Sequence, residues 1–395
     1  MSENVVGTQF VGKKSRVFWL ALKTGMLTVL TLGFYRFWMK TRLRRWYWSA
    51  IRPGGYPLEY VGDPFEKLLG FLIAVVVLAF YIGIVNLLLM FLSYSFFQDN
   101  FVAYTASFVG VVPLWFYAQF RSRRYVLART RWMGLRFGLE PGAWGYAGRA
   151  LLYWGLTLVS LGILAPLMVF RLEKYITDRT YFGTERMHQG GRWTMLYRPM
   201  RPLIISVLML IVAAVLFVAE QIGPGTGLSV LGMGGLLYGY FAFKVNGLAV
   251  LTRHKHLAGC SLEMRPSAGA VLGIYALGYV LATFVIAIPG TALFILLLVV
   301  QSPDTAAELS LGTGGWVADQ SRWVLVAVSA MLYFSIFLLW SALTHTFVTM
   351  PTIKHYARTL TLIEPASLLS ITQRPRDAAE QAEGFAEALD VGASI

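Results

Sequence analysis

Lys and Arg are unevenly distributed between the apolar stretches of this chain. Three polar breaks, at 93–100, 220–227 and 301–321, contain neither residue, whereas the other breaks are rich in both. Loops that stay in the bacterial cytoplasm retain Lys and Arg, and short translocated loops lack them. The pattern therefore predicts the side of a membrane on which each loop lies.

Composition places the chain among membrane proteins. It is 57% hydrophobic and 14% charged, with a mean hydropathy of +0.60, which is more apolar than a soluble domain. The net charge of +14 comes from side chains beside apolar runs, where each gains about 1 kcal/mol from anionic lipid headgroups. We therefore predict membrane lipids as partners and no nucleic acid. The single cysteine, Cys260, excludes an internal disulfide framework.

Eight apolar segments approach the length needed to cross a hydrocarbon core of about 30 Å. If all eight crossed, strict alternation would put the seven basic residues of 121–149 opposite the seven of 171–201. If instead 17–38 and 150–170 enter and leave on one face, every basic stretch becomes cytoplasmic. The remaining segments are then six full spans: 68–92, 101–120, 203–219, 228–250, 269–300 and 323–344.

An internal repeat supports treating 17–38 and 150–170 as a pair. Residues 27–33 align without gaps with 156–162, and each copy contains a Thr/Ser-Leu-Gly step. Glycine permits a turn, and the hydroxyl can hydrogen-bond carbonyls that the turn leaves bare. We predict two re-entrant hairpins, covered by the spans because a bare turn is not tolerated in lipid. The alternative is two ordinary helices with unusual loop charges. The predicted turn residues are Thr31, Gly33, Ser160 and Gly162.

The predicted fold is an all-α polytopic membrane protein with six transmembrane helices, two re-entrant hairpins and short cytoplasmic β-hairpins. Residues 1–16 lack the apolar core of a signal peptide and form a cytoplasmic segment. The membrane domain covers 17–364, and 365–395 is an acidic cytoplasmic tail. The tail is predicted to be a short amphipathic helix that docks on the protein's own basic residues or binds a protein partner. Alternating residues after turns predict the strands, at 56–60, 131–137, 193–197 and 257–264.

A basic and aromatic segment follows the first turn. Residues 34–49 interleave cations with Tyr, Phe and Trp, which is typical of a helix that leaves the membrane through the headgroup layer. We predict contacts with anionic lipid headgroups, and the alternative is a dedicated site for an anionic lipid or substrate. The contacting residues are predicted to be Lys40, Arg42, Arg44 and Arg45.

Several of these segments resemble the YjgN family of bacterial membrane proteins, catalogued as domain of unknown function 898. The resemblance lies in 27–47 (LTVLTLGFYRFWMKTRLRRWY), 130–138 (TRWMGLRFG), the second copy at 160–162 and the end of the chain at 382–392. It implies a polytopic bacterial inner-membrane protein and implies no activity. Members often carry Pro-Trp after the Leu-Gly turn, whereas the first copy here lacks the Pro and the second lacks the Trp.

Motifs for catalysis are mostly absent from the sequence. The apolar spans contain no Asp, and the chain has neither His-Glu-x-x-His nor a Walker A loop. Ser341 and His345 lie one turn apart on one helix, which does not make a cross-helix dyad. His254, His256 and Cys260 have ligand-type side chains, but Lys255 repels a cation. We predict no enzymatic activity, no cofactor and no metal.

Polar residues within apolar segments are the remaining functional candidates. A charge in hydrocarbon costs roughly 2.5 to 3.5 kcal/mol, so such residues commonly have a function or reach the interface by snorkelling. If they do not snorkel, they predict a polar cavity in a transporter or channel for a small polar or anionic solute. The alternative is a non-catalytic scaffold or assembly factor with a cytoplasmic partner-binding surface. The predicted cavity residues are Lys23, Lys244, Asn246 and His345.

Overall fold

The computed structural model describes residues 5–98, 100–301 and 322–375. The chain divides into two compact units. The larger, called the sheet unit, consists of Met1–Val11, Arg44–Val271 and His355–Ile395. The smaller, called the helical unit, consists of Gly12–Leu43 and Leu272–Lys354. The acidic residues of the predicted tail, from Asp377 onward, and most of the break at 301–321 lie outside the described residues.

Helices form most of the described chain. Two π-helical turns lie at Tyr81–Val85 and at His345–Thr349, each between two α-helices. Short 3₁₀ helices lie at Trp193–Leu196 and Pro365–Ser370. The α-helices are α1 (Lys14–Leu30), α2 (Arg36–Ala50), α3 (Pro64–Phe80), α4 (Asn86–Phe97), α5 (Phe101–Ala128), α6 (Ala143–Val159), α7 (Ala165–Thr177), α8 (Tyr197–Val218), α9 (Ile222–Arg253), α10 (Ala268–Gln301), α11 (Arg322–Thr344) and α12 (Met350–Thr359).

Ten short strands form one antiparallel sheet in the sheet unit, in the order β2-β1-β10-β9-β8-β7-β6-β5-β4-β3. The edge strands β2 and β3 are consecutive in the chain, so the sheet is barrel-like, and β1 from the start of the chain pairs with β10 from its end. The strands are β1 (Val5–Phe10), β2 (Ile51–Pro53), β3 (Leu58–Tyr60), β4 (Thr130–Trp132), β5 (Leu135–Leu139), β6 (Thr180–Phe182), β7 (Glu185–Gln189), β8 (Lys255–Leu257), β9 (Cys260–Met264) and β10 (Leu360–Ile363).

The chain builds this sheet from five repeats in which two strands flank a pair of helical segments; in the fifth repeat, residues 302–321 between the helices lie outside the described structure. Each odd-numbered strand leads into a hairpin of helices, and the next strand pairs with it antiparallel. The hairpins are numbered 1 to 5 in chain order, so that hairpin 1 consists of α1 and α2, and hairpin 3 consists of α6 and α7. Because the pairing alternates around the sheet, every hairpin is attached at one end of the strands. Tight turns such as Met133-Gly134 and Ala258-Gly259, with left-handed φ at both residues, lie at the other end.

An apolar cluster fills one face of the sheet. Trp132, Phe182, Leu257 and Leu362 come from β4, β6, β8 and β10 and pack together. Ile371, after the last strand, joins the same cluster. Strands of three to five residues are unstable alone, so this shared burial holds the sheet together.

Within the described residues, five helices are long and apolar enough to cross a membrane. They match five of the predicted spans to within two residues at the ends that fall short, and they are consistent with a polytopic membrane protein; the candidate spans are Phe101–Ala128, Trp193–Val218, Ile222–Arg253, Ala268–Leu298 and Trp323–Thr359. The sixth predicted span, 68–92, falls on the continuous helical run of α3, the π turn and α4, in which Gly83–Phe97 is a shorter apolar helix. The number of crossings stays a prediction.

The predicted short strands fall partly within the sheet. Segments 131–137 and 257–264 do form strand pairs, but all strands belong to the single sheet. The prediction of a strand at 193–197 is wrong, because this segment forms a 3₁₀ turn leading into α8. Pro199 and Pro202 follow closely, and proline cannot donate to a strand ladder but is tolerated in the first turn of a helix.

Close packing of α8 on α9 depends on glycines of α9. A Cβ at Gly239 would lie 2.7 Å from the backbone N and Cα of Leu203, and one at Gly232 would lie 2.7 Å from the side chain of Leu210. Small residues allow helix backbones to approach in this way, which is how helices associate in a membrane.

We predict that Gly239→Ala lowers the thermal unfolding midpoint of the detergent-solubilised protein, since the backbone of Leu203 must shift. Overpacking of this kind costs about 1–3 kcal/mol. Gly234→Ala on the same helix is the control, because a Cβ there meets no atom within 4 Å. Intrinsic fluorescence during heating measures both variants, and equal midpoints would contradict the packing argument.

Candidate functional site

Hairpins 1 and 3 turn in the same way. Gly33 N–H donates to Thr28 O at 2.7 Å, and Gly162 N–H donates to Thr157 O at 2.8 Å. The residues before these glycines, Leu32 and Leu161, have left-handed φ values of 51° and 50°. Both turns are therefore Schellman-type helix ends, which satisfy carbonyls that a helix terminus leaves bare.

The predicted hydroxyl residues complete these turns. Thr31 Oγ1 donates to Leu27 O at 2.7 Å and accepts the N–H of Tyr35 at 2.9 Å. Ser160 Oγ donates to Thr157 O at 3.1 Å and accepts the N–H of Leu164 at 3.1 Å.

The tips of these hairpins are not covered by protein. Leu32 is 91% exposed and Leu161 is 93% exposed. The expectation that the spans cover both turns is therefore wrong for the tips. That expectation assumed that the turns leave backbone N–H and C=O groups without hydrogen bonds. In the structure, hydrogen bonds within each turn satisfy many of these groups. An apolar tip of this kind can face lipid.

A cavity of about 130 Å³ lies at the base of hairpin 3, between α5, α6 and α7 of the sheet unit. Its polar lining consists of Gln119 and Arg123 from α5, Tyr146 from α6 and Glu173 from α7. Leu172 and Ile176 provide an apolar wall. Tyr146 donates its hydroxyl hydrogen to Gln119 Oε1 at 3.2 Å. This space can hold a small ion together with a few waters.

Glu173 is shared by two cations. Lys255 Nζ lies 2.5 Å from Glu173 Oε1, and a guanidinium nitrogen of Arg123 lies 3.5 Å from the same oxygen. Burial alone would raise the pKa of Glu173, but Arg123 and Lys255 outweigh it and lower the pKa to about 2. The carboxylate is ionised at neutral pH, and with two cations around one anion the group is net positive.

The structure assigns the predicted cavity residues to different units. Lys23 is exposed on α1, and His345 is half-buried at the start of its π turn, both in the helical unit. Lys244 is exposed in the sheet unit, with Nζ 5.9 Å from the centroid of the Tyr240 ring, and Asn246 is half-buried. Because Lys244 and Asn246 are two residues apart on one helix, they point in different directions. Their joint cavity stays a prediction.

The four residues predicted to contact lipid headgroups differ in their exposure. Arg44 is 1% exposed, and its guanidinium contacts the rings of Tyr60 and Trp48 at 5.2 and 5.8 Å. The prediction that Arg44 contacts lipid is therefore wrong, because the packing of α2 buries this side chain. Arg42 and Arg45 are exposed and Lys40 is half-buried, so lipid contact stays a prediction for these three.

Sequence reasoning missed Arg123, Glu173 and Lys255. One signal was present in the repeat, where Glu173 occupies the position of Arg44 and places an acid inside a basic stretch. Among the described residues, no cluster of three His, Cys, Asp or Glu side chains could hold a metal ion. Cys260 packs in the apolar cluster of the sheet.

One comparison with known proteins gives a family. A family model described as "Bacterial protein of unknown function (DUF898)" matches residues 6–379 and confirms the resemblance drawn from the sequence. No curated protein and no solved structure matches the chain.

We predict that Glu173→Gln destabilises the protein at pH 7 and that the effect disappears in acid. A carboxyl whose folded pKa lies below its unfolded value stabilises the fold above the unfolded pKa, about 4.3, and loses that contribution as pH falls to about 2. The shift corresponds to roughly 3 kcal/mol.

Thermal unfolding of the solubilised protein at pH 7 and at pH 3 measures this difference, which is expected to be roughly half as large at pH 3. Glu185→Gln is the control, because Glu185 is exposed on β7 and has no ion pair within the described part of the chain. If Glu173→Gln lowered the unfolding midpoint by the same amount at both pH values, the stabilising role of the ionised Glu173 carboxylate would be contradicted.

Proposed function

This chain belongs to the bacterial family of unknown function, DUF898, whose model it matches, and on that premise we propose that it is a multi-pass inner-membrane transporter of a small anionic solute. The observation that carries the proposal is the cationic cavity between α5 and hairpin 3. Its ionised groups lie beside a helix long and apolar enough to span a membrane.

The sheet supports a definite topology. A bilayer cannot divide a hydrogen-bonded sheet, so the two ends of each hairpin share one side of the membrane. The basic stretches lie around the strands, which makes this side cytoplasmic by the positive-inside rule. Both termini then lie in the cytoplasm.

The short hairpins are proposed to turn back within the membrane. The α1 and α6 helices have 17 residues each, or about 25 Å, which is shorter than the core of about 30 Å. The returning helix α2 carries five basic residues and is too polar to cross in contact with lipid. Neither hairpin supplies a candidate span in the described structure.

Charge determines the class of solute. The positive charges of Arg123, which lines the cavity, and of Lys255, which pairs with Glu173 from outside the lining, together exceed the single negative charge of Glu173, and the side chain of Arg123 is 43% exposed. The Tyr146 hydroxyl and the Gln119 amide add neutral hydrogen-bonding groups. A small anion gains from this excess charge, whereas a cation would be repelled.

A scaffold is the second candidate, and the packing of the C-terminal segment favours it. Thr184 N–H donates to Thr372 O at 2.9 Å, and Arg136 N–H donates to Gln373 Oε1 at 3.0 Å. This segment leads into the acidic tail from the sheet, where a cytoplasmic partner could reach it. A scaffold would not need the buried charges at hairpin 3.

We predict the following labelling in a Cys260→Ala background. Met133→Cys and Thr184→Cys, in sheet turns before and after hairpin 3, react with a membrane-impermeant maleimide only from the cytoplasmic side. Gln221→Cys, in the basic-free break, reacts from outside. Leu161→Cys, at the hairpin tip, reacts from neither side because it lies in hydrocarbon. External labelling of Leu161→Cys would show that hairpin 3 crosses the whole membrane.

We predict that purified protein in liposomes takes up at least one of radiolabelled phosphate, sulfate and acetate, and that Arg123→Gln lowers the uptake at least tenfold. The loss of one charge-assisted contact accounts for that factor. Arg201→Gln is the control, since Arg201 is exposed on α8 and lies outside the cavity. Folded wild-type protein that carries none of the three anions, or an Arg123→Gln variant that keeps full uptake, would count against transport.

A further inference from the structure

A second cationic group lies at the base of hairpin 3, separate from the cavity lining. The guanidinium carbons of Arg149 and Arg179 lie 4.7 and 3.7 Å from the centroid of the Tyr175 ring. Arg149 projects from α6 and Arg179 follows α7, so the two arms of the hairpin bring them to one ring. Each guanidinium is attracted to the ring by a cation–π interaction, which does not require a carboxylate partner.

Tyr175 fixes this arrangement. The ring is buried, and its hydroxyl donates to Gly142 O at 2.9 Å. A Cβ at Gly142 or Gly145 would lie 2.6 Å from that hydroxyl oxygen, so both positions must be glycine for α6 to approach so closely. The Tyr175 ring that both guanidiniums contact is therefore held in place by close contacts with the backbone.

Neither arginine has an acidic partner within the described residues. Arg149 donates to Gly145 O at 2.9 Å, and Arg179 donates to Tyr175 O at 3.3 Å. The nearby carboxylate of Glu140 pairs with Arg186 instead. Two guanidiniums thus keep donors available for an anion, and their planar fork suits a phosphate group.

An exposed apolar stripe leads from Arg149 to the tip of the hairpin. Leu152, Leu156 and Val159 follow at the third, seventh and tenth positions, so they share one face of α6. They are 59%, 39% and 86% exposed. Ten residues of helix rise about 15 Å, which is the hydrocarbon depth of one leaflet. Trp144, 63% exposed and five residues before Arg149, provides an aromatic ring at headgroup level.

The internal repeat shows that this group is not a general property of the short hairpins. At the positions of Arg149 and Arg179, hairpin 1 carries Leu20 and Ala50. The same alignment places the first and last residues of α1 opposite the first and last residues of α6. The pair of cations is specific to hairpin 3, where the fold otherwise repeats.

We propose that hairpin 3 binds one anionic phospholipid, with its phosphate on Arg149 and Arg179 and an acyl chain along Leu152, Leu156 and Val159. The stripe selects a lipid over a free phosphate ion, because a soluble ion gains nothing from apolar side chains. The proposal does not depend on transport through the cavity.

Native mass spectrometry of the full detergent-purified chain tests the proposal. Dioleoyl phosphatidylglycerol and dioleoyl phosphatidylethanolamine are titrated separately against wild type, the Arg149→Gln/Arg179→Gln variant and an Arg192→Gln/Arg201→Gln control. The control removes the same charge from exposed positions. We expect one phosphatidylglycerol to bind at least tenfold more tightly than phosphatidylethanolamine, the first variant to lose that preference, and the control to keep it.

A competition experiment separates the lipid from its headgroup. Glycerol 3-phosphate at millimolar concentration is expected to leave the bound phosphatidylglycerol in place. Equal retention of the two lipids, unchanged binding in the Arg149→Gln/Arg179→Gln variant, or displacement by glycerol 3-phosphate would each overturn the proposal. If the double variant fails to fold, Arg149→Gln alone decides, because the Arg149 side chain is exposed and Arg179 still contacts the Tyr175 ring in this variant.

Discussion

The pairing of β1 with β10 joins the two ends of the chain and completes the sheet on which the helices depend. Val5 pairs with Ile363, across nearly the whole sequence. Most strands have only three to five residues, and such strands are stable only when both neighbours and a common apolar cluster are present. Each hairpin is joined to a strand at both ends, so the pairing of the strands sets where each hairpin begins and ends.

This dependence explains which parts of the fold could be predicted from the sequence. Helical segments are visible because their apolar runs are long and local, and the Thr/Ser-Leu-Gly turns are visible because they are repeated. The single sheet could not be predicted, because a three-residue strand such as Thr180–Phe182 carries too little periodicity and its partner at 137–139 lies far away in the chain. Segment 193–197 was also mispredicted from local sequence. Its alternating large residues, Trp193, Met195 and Tyr197, suggest a strand, whereas the prolines that follow favour the start of a helix.

The candidate site was hidden for a related reason. Glu173 meets Arg123 and Lys255 from 50 and 82 residues away, so no local motif reveals the group. Predictions from the hydrophobic segments favoured single polar residues such as Lys23 and Lys244, which are exposed on their helices. A long Lys side chain can reach the headgroup layer from such a position, and exposure on an apolar face favours that reading over a buried cavity.

The charges that the structure does bury lie where the helices meet the strands. Glu66 accepts hydrogen bonds from Arg129 at 2.8 Å and Tyr125 at 3.1 Å, and Glu173 plays the corresponding part beside hairpin 3. A charge removed from water costs several kcal/mol unless it is paired, and here carboxylates are fewer than cations. A protein-binding scaffold would place its charge on the outside, where water screens it and desolvation costs little. Under our two proposals, the excess cations beside the cavity and beside hairpin 3 are compensated by anions, by the transported solute in one case and by a lipid of the bilayer in the other.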